Sequence, residues 1–237
     1  MLARLKPSWA TFVPAFYWWA TYTLRGILWV VARWEVRGRE NIPPTGPVIV
    51  VSNHLNNADP PILAAGIARR RIRFMAKIEL FKYPLGVIPR VYGAFPVRRF
   101  ESDMGALLSA ERLLKKGGVL GMFPEGTRSR TGYIGTPHPG TALIALRSGA
   151  TVVPCAMAGT EGLRNPLIVF TKPRMSVVIG KPILVEKVKR PTEEQVSALT
   201  EQIFDAIKAM VLPKYLPPYT ATEGQGAKHH GDNHPGE

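Results

Sequence analysis

Val48-Ile49-Val50-Val51-Ser52-Asn53-His54-Leu55-Asn56-Asn57-Ala58-Asp59-Pro60-Pro61 holds a strand, its end and the opening of a helix within fourteen residues. The unbroken β-branched run Val48–Val51 is the pattern of a strand buried on both faces, as in a parallel sheet. Proline suits the first helical turn, so the double proline after Asp59 predicts a helix over residues 59–68. His54 and Asp59 thus fall in the connection after a strand, where α/β proteins gather ligands. Asp59 within reach of one ring nitrogen would fix the imidazole tautomer and leave the other nitrogen as a base. With no nucleophile between them, the pair suits removing a proton from a substrate hydroxyl. The plainer alternative makes Asp59 a helix N-cap and His54 an ordinary polar residue at a strand end.

Outward from this segment the chain alternates. Strands are expected at Arg71–Met75, Val119–Phe123 and Thr151–Ala156, with weaker ones at Met175–Ile179 and Ile183–Val185. Between them lie helical stripes: Met104, Leu107, Leu108 and Leu114 closed by Gly117-Gly118, then Gly140–Gly149. Thr192 and Gln195 form a capping box before Val196, Leu199, Ile203, Ile207 and Met210. The alternation predicts an α/β three-layer sandwich around a mostly parallel mixed sheet. The organisation expected is an N-terminal helical arm (1–38), one α/β domain (39–213) and a disordered tail (214–237) rich in Pro, Gly, His and charge.

All five tryptophans fall in that arm, among Phe12, Phe16, Tyr17 and Tyr22, with arginines between. Phe16, Trp19, Thr23, Ile27, Val30 and Trp34 recur at helical spacing, and Arg25 sits opposite. Trp and Tyr favour the headgroup level of a bilayer. A helix lying in the membrane surface fits this pattern. Packing on the protein's own core, or a short span, are the other readings. On the first reading the protein is membrane-associated at the cytoplasmic face, and deletion of residues 1–37 leaves a folded body.

Lys+Arg outnumber Asp+Glu 31 to 17, giving a formal charge of +14, which favours anionic partners such as lipid headgroups, phosphorylated substrates or nucleic acid. The single cysteine, Cys155, excludes an internal disulfide. Only His54 and His138 lie outside the tail, which argues against a metal site. Arg69-Arg70-Arg71 prompts a nucleic-acid-binding alternative, but the aromatics cluster in one arm rather than along a basic face.

Two further segments place guanidinium groups after short apolar runs: Gly93-Ala94-Phe95-Pro96-Val97-Arg98-Arg99 and Phe123-Pro124-Glu125-Gly126-Thr127-Arg128. Arginine meets phosphate bidentately, and a glycine turn adds backbone donors. No nucleotide-binding motif accompanies them. Taken together, His54-x₄-Asp59, Gly93–Arg99, Phe123–Arg128 and Val152–Ala156 resemble, in order and spacing, the four motifs of the glycerolipid acyltransferases, in particular the 1-acylglycerol-3-phosphate acyltransferases. The resemblance spans about residues 40–185. It implies transfer of an acyl group from acyl-CoA or acyl carrier protein to a lysophospholipid hydroxyl, with His54 as base and Asp59 orienting it. It further implies that Arg98, Arg99, Glu125, Gly126, Thr127 and Arg128 bind the phosphate end of the acceptor and that Pro154 shapes the apolar side. It implies no metal or redox cofactor. Asn56 and Asn57 stand where many relatives carry a serine and an aromatic residue, which bears on acceptor choice. Another lysolipid or a glycolipid is the alternative acceptor, and a silent lipid-binding module is disfavoured by the intact His54 and Asp59.

Overall fold

The computed structural model describes residues 9–81, 86–97, 104–129 and 131–216. Arg98 and Arg99 lie outside them. Helix α1 (Trp9–Val31) leads into β1 (Arg33–Arg37), followed by β2 (Val48–Ser52), α2 (Asp59–Ile67) and β3 (Ile72–Lys77). Then come α3 (Val87–Val91), β4 (Phe95–Val97), α4 (Met104–Lys115), β5 (Val119–Met122) and α5 (Gly140–Ser148). β6 (Thr151–Ala158), β7 (Arg174–Ile179) and α6 (Glu193–Lys208) complete the domain. The strands form one seven-stranded sheet in the order β1-β7-β6-β2-β5-β3-β4. Every neighbouring pair is parallel except β6 with β7.

β2 is central because its sequence can tolerate no water on either face: all five residues are buried. Val48 and Val50 meet α1 and α2 on one side, and Ile49 and Val51 meet the α4–α6 layer on the other. The expected three-layer architecture is therefore present. The capping box at Thr192 forms as read, with Gln195 N–H donating to Thr192 Oγ1 at 3.2 Å and Thr192 N–H to Gln195 Oε1 at 3.0 Å. Ile183–Val185 makes only an isolated bridge to Val152. β7 already occupies β6 from Cys155 onward, and Pro182 has no N–H to give a ladder.

The arm is less separate than the composition implied. Tyr17, Thr21 and Leu28 are buried, and the Tyr17 hydroxyl accepts a hydrogen bond from Ile72 N–H at 3.0 Å. Phe16, Trp19, Ile27 and Val30, from the stripe read in the sequence, point outward with Tyr22 and Trp29. Trp34 leaves the stripe: residues 33–37 form β1, in register with β7, so the sheet begins inside the segment assigned to the arm. Deleting residues 1–37 would strip an edge strand and uncover α2, so the body is not independent of them. The tail also begins later than expected. Tyr215 is buried, its hydroxyl accepting from Gly159 N–H at 2.8 Å and donating to Glu161 at 2.7 Å. Residues 217–237 lie outside the described part.

The three arginines after α2 are structural. Arg70 donates to the carbonyls of Pro43, Thr45, Gly46 and Gly117, fastening the loops that enter β2 and β5. Arg69 donates to the Arg39 carbonyl, and Arg71 lies over the Tyr17 ring. Arg70→Ala should lower stability by about 1–3 kcal/mol, because one charged group holds several carbonyls. Thermal unfolding should show a midpoint lower by roughly 2–8 °C.

Candidate active site

Because β2, β3, β5 and β6 run parallel, their carboxyl ends share one edge of the sheet. Asn53 ends β2 by turning its amide onto β6: Nδ2 donates to the Met157 carbonyl at 3.0 Å and Oδ1 accepts from Met157 N–H at 2.8 Å. The side chain thus mimics a peptide, and the backbone is freed to carry His54 into the connection.

Asp59 is the first residue of α2, and its carboxylate points back into the turn. Oδ2 accepts from Leu55 N–H at 2.6 Å, from Asn56 N–H at 2.7 Å and from His54 Nδ1 at 2.9 Å. The N-cap reading is thereby replaced, since Ala58 holds the cap position and Asp59 serves the turn and the ring. A carboxylate can only accept, so Nδ1 carries the proton and Nε2 is left to face the cleft. Asp59 Oδ1 is buried without a hydrogen-bond partner.

The imidazole is fixed from the side as well. Phe123 stacks on it with ring centroids 4.2 Å apart, and Phe74 lies behind Phe123 at 5.9 Å. Gly121 makes room for this stack, since a Cβ there would collide with the Phe74 ring. The turn after β5 brackets the His54 peptide: Glu125 Oε1 accepts from His54 N–H at 3.0 Å, and Ser129 N–H donates to the His54 carbonyl at 2.8 Å. Gly126 adopts φ 65, and a side chain there would press on His138.

His54 opens onto a cleft of about 360 Å³ walled mainly by apolar groups, among them Phe74, Leu80, Ile88, Tyr92 and Met122. Lys77 at the end of β3 and His138 also line it. Neither was assigned a role from sequence; applying the strand-end rule to β3 would have marked Lys77, and His138 was visible as the second histidine of the body. Of the residues expected at the acceptor's phosphate, Gly126 borders this cleft. Glu125, Thr127 and Arg128 line an adjoining polar hollow of about 450 Å³. Glu125 has a second partner there, Gly135 N–H at 2.9 Å, so both of its oxygens hold backbone rather than await a ligand. Pro154 stands elsewhere. It is buried in β6 against Gly180, on the sheet face covered by α6, and does not line the cleft.

Burial pushes the Glu125 carboxyl above the usual carboxylate range, with the Gly135 and His54 N–H groups pulling the other way. A raised folded value means the group stabilises the fold at low pH and loses that contribution as pH rises through the raised value. Glu125→Gln, which cannot ionise, should therefore gain stability relative to the wild type as pH climbs from the ordinary carboxylate range through that value. A constant offset from the lost acceptor is superimposed. Urea unfolding of both proteins across that range checks this, and a pH-independent difference would contradict it.

The family model described as Acyltransferase matches residues 33–158, more than half of the 237-residue chain. The 1-acyl-sn-glycerol-3-phosphate acyltransferase of Bacillus subtilis is 30% identical over 178 residues, covering 74% of this chain and 87% of that one. A chloroplastic 1-acyl-sn-glycerol-3-phosphate acyltransferase of Arabidopsis thaliana is 31% identical over 182 residues, covering 71% of this chain and 49% of its own length. The crystal structure of the 1-acyl-sn-glycerophosphate (LPA) acyltransferase PlsC from Thermotoga maritima superposes with a TM-score of 0.62 at 27% identity, over 83% of this chain and 77% of that one. With His54 of the His-x₄-Asp pair lining an apolar cleft on an α/β sheet, the chain belongs to the glycerolipid acyltransferase family.

Proposed function

We propose that the protein moves a fatty acyl group from an acyl thioester to the free hydroxyl of 1-acyl-sn-glycerol 3-phosphate, giving phosphatidic acid. One observation carries the chemistry: a buried imidazole whose Nδ1 is committed to Asp59 and whose Nε2 faces an apolar cleft. Nε2 takes the proton of the acceptor hydroxyl as its oxygen bonds to the thioester carbonyl carbon. Asp59 stabilises the imidazolium through the short Nδ1 contact. The carbon–sulfur bond then breaks, and the departing sulfur recovers the proton from Nε2. No acyl-enzyme is invoked, since among the described residues lining the cleft there is no serine or cysteine to carry the acyl group. Every proton transfer is met by His54, so the reaction asks for no metal or redox cofactor. Acyl-CoA or acyl carrier protein serves as donor.

The apolar walls suit an acyl chain. On this reading Arg128 meets the acceptor's phosphate with Thr127, a role supported by its exposure in the hollow beside the turn that brackets His54. Among the described residues no helix is long and apolar enough to cross a membrane. The outward aromatics of α1 instead suit a phospholipid surface, on which a substrate with its tail in the bilayer can be met.

Thiol release from acyl-CoA in the presence of a panel of lysolipids tests the assignment, with lysophosphatidate expected to be the preferred acceptor. His54→Ala should reduce that release by about 10²–10⁴-fold with the fold intact, as expected for loss of a general base; wild-type turnover in this variant would remove the mechanism. Arg128→Ala should raise the acceptor KM by roughly ten- to a hundredfold with little change in kcat, since a phosphate contact is made in ground and transition states alike. A rise confined to the donor KM would place Arg128 at the other substrate.

A further inference from the structure

A second exposed apolar feature belongs to neither the cleft nor α1. After β6 the chain forms two short 3₁₀ segments, Thr160–Arg164 and Pro166–Thr171, before β7. Leu167 is 65% exposed and Phe170 83% exposed. In a 3₁₀ helix residues three apart eclipse, so these two side chains share one face. The segment is not loose: Asn165 Oδ1 accepts from Leu167 N–H at 3.0 Å, Thr171 Oγ1 donates to the Ile168 carbonyl at 2.7 Å, and Ile168 turns inward against Gly162. An ordered segment that presents two large apolar groups to water calls for a partner that covers them.

Its position and charge indicate which one. Arg33 N–H donates to the Pro173 carbonyl at 2.9 Å, and Arg33 stands opposite Arg174 in the β1–β7 register. The segment therefore returns to the sheet directly beside the end of α1, where Trp29 is 79% and Val30 60% exposed. Arg33, Lys172 and Arg174 are all exposed around this junction. Of the acidic groups nearby, Glu35 is paired with Arg37, and Glu161 with Lys214 and Tyr215. Apolar tips beside cations that have no ion pair among the described residues fit an anionic phospholipid bilayer: the apolar side chains enter the acyl boundary while the cations meet headgroup phosphates. The junction also lies on the sheet edge that carries His54, since β6 ends and β7 begins there.

We propose that residues 166–171 form a second point of insertion into anionic bilayers, acting with α1 through Leu167 and Phe170. This rests on the membrane-surface reading above. The test is flotation of the full chain, wild type and Leu167→Ser/Phe170→Ser, with vesicles of phosphatidylcholine alone or mixed equimolar with phosphatidylglycerol. The variant should partition roughly tenfold more weakly onto the anionic vesicles, from the loss of two inserted apolar side chains. In parallel, Phe170→Cys carrying an NBD fluorophore reports insertion directly, because Cys155 is wholly buried and leaves residue 170 as the labelling site. Its emission should shift to the blue on addition of anionic vesicles. Equal partitioning of wild type and variant, or unshifted emission from vesicle-bound protein, would overturn the proposal. A blue shift that rises with protein concentration in the absence of vesicles would also overturn it, assigning the patch to self-association. Acyl transfer to a short-chain, water-soluble acceptor should be the same in wild type and double variant. Its absence from both would remove the acyltransferase reading without touching the vesicle result.

Discussion

One carboxylate oxygen organises the site. Asp59 Oδ2 draws the N–H groups of Leu55 and Asn56 and the Nδ1 proton of His54 onto a single point. Charge-assisted bonds of this kind are about twice as strong as neutral ones. The turn between β2 and α2 therefore cannot open without moving the imidazole, nor the imidazole reorient without breaking the turn. Local backbone structure and proton-transfer geometry are the same set of hydrogen bonds.

The rest of the domain holds that point in place. β2 fixes one end because all five of its residues are buried between the two helical layers, and α2 fixes the other. The turn after β5 grips the His54 peptide through Glu125 and Ser129. Glu125 illustrates how a carboxylate in a strongly basic protein can serve structure beside a hollow proposed to take an anion. With both oxygens on backbone N–H groups it offers nothing to a phosphate, and it leaves the cationic Arg128 next to it as the feature an anion would meet.

The parallel core was legible because Val48–Val51 and Val152–Ala156 are continuous apolar runs. The spacing of His54 and Asp59 put them within reach of each other but left Asp59 equally open to a helix N-cap, and the later segments were needed to favour the pair. β1 was not. Arg33-Trp34-Glu35-Val36-Arg37 alternates exposed and half-buried residues at the sheet's edge, and its tryptophan also fits the preceding helical stripe. Only its non-local pairing with β7 decides between the two. Pro154 was misplaced for a related reason: spacing locates a residue along β6 but not the sheet face on which its ring falls. Lys77 and His138 reach the cleft from separate parts of the chain, so nothing in their local sequence brings them together. The two faces of α1 were less ambiguous than they first looked, since burial of Tyr17, Thr21 and Leu28 and exposure of Trp19 and Trp29 belong to one amphipathic helix.

The pairing of β1 with β7 has a consequence in time. Arg33 meets Arg174, so among the described residues the strand directly after α1 finds its sheet partner in residues that leave the ribosome far later. Contacts of such sequence separation form late. Until then α1 has α2 to pack on but no closed sheet edge behind it. The outward aromatics of α1 are thus offered to their surroundings well before β7 and the 166–171 segment exist. On the proposed membrane-surface reading, engagement of a bilayer by the nascent helix precedes completion of the fold, and the order of synthesis then sets the orientation in which the finished cleft meets the lipid.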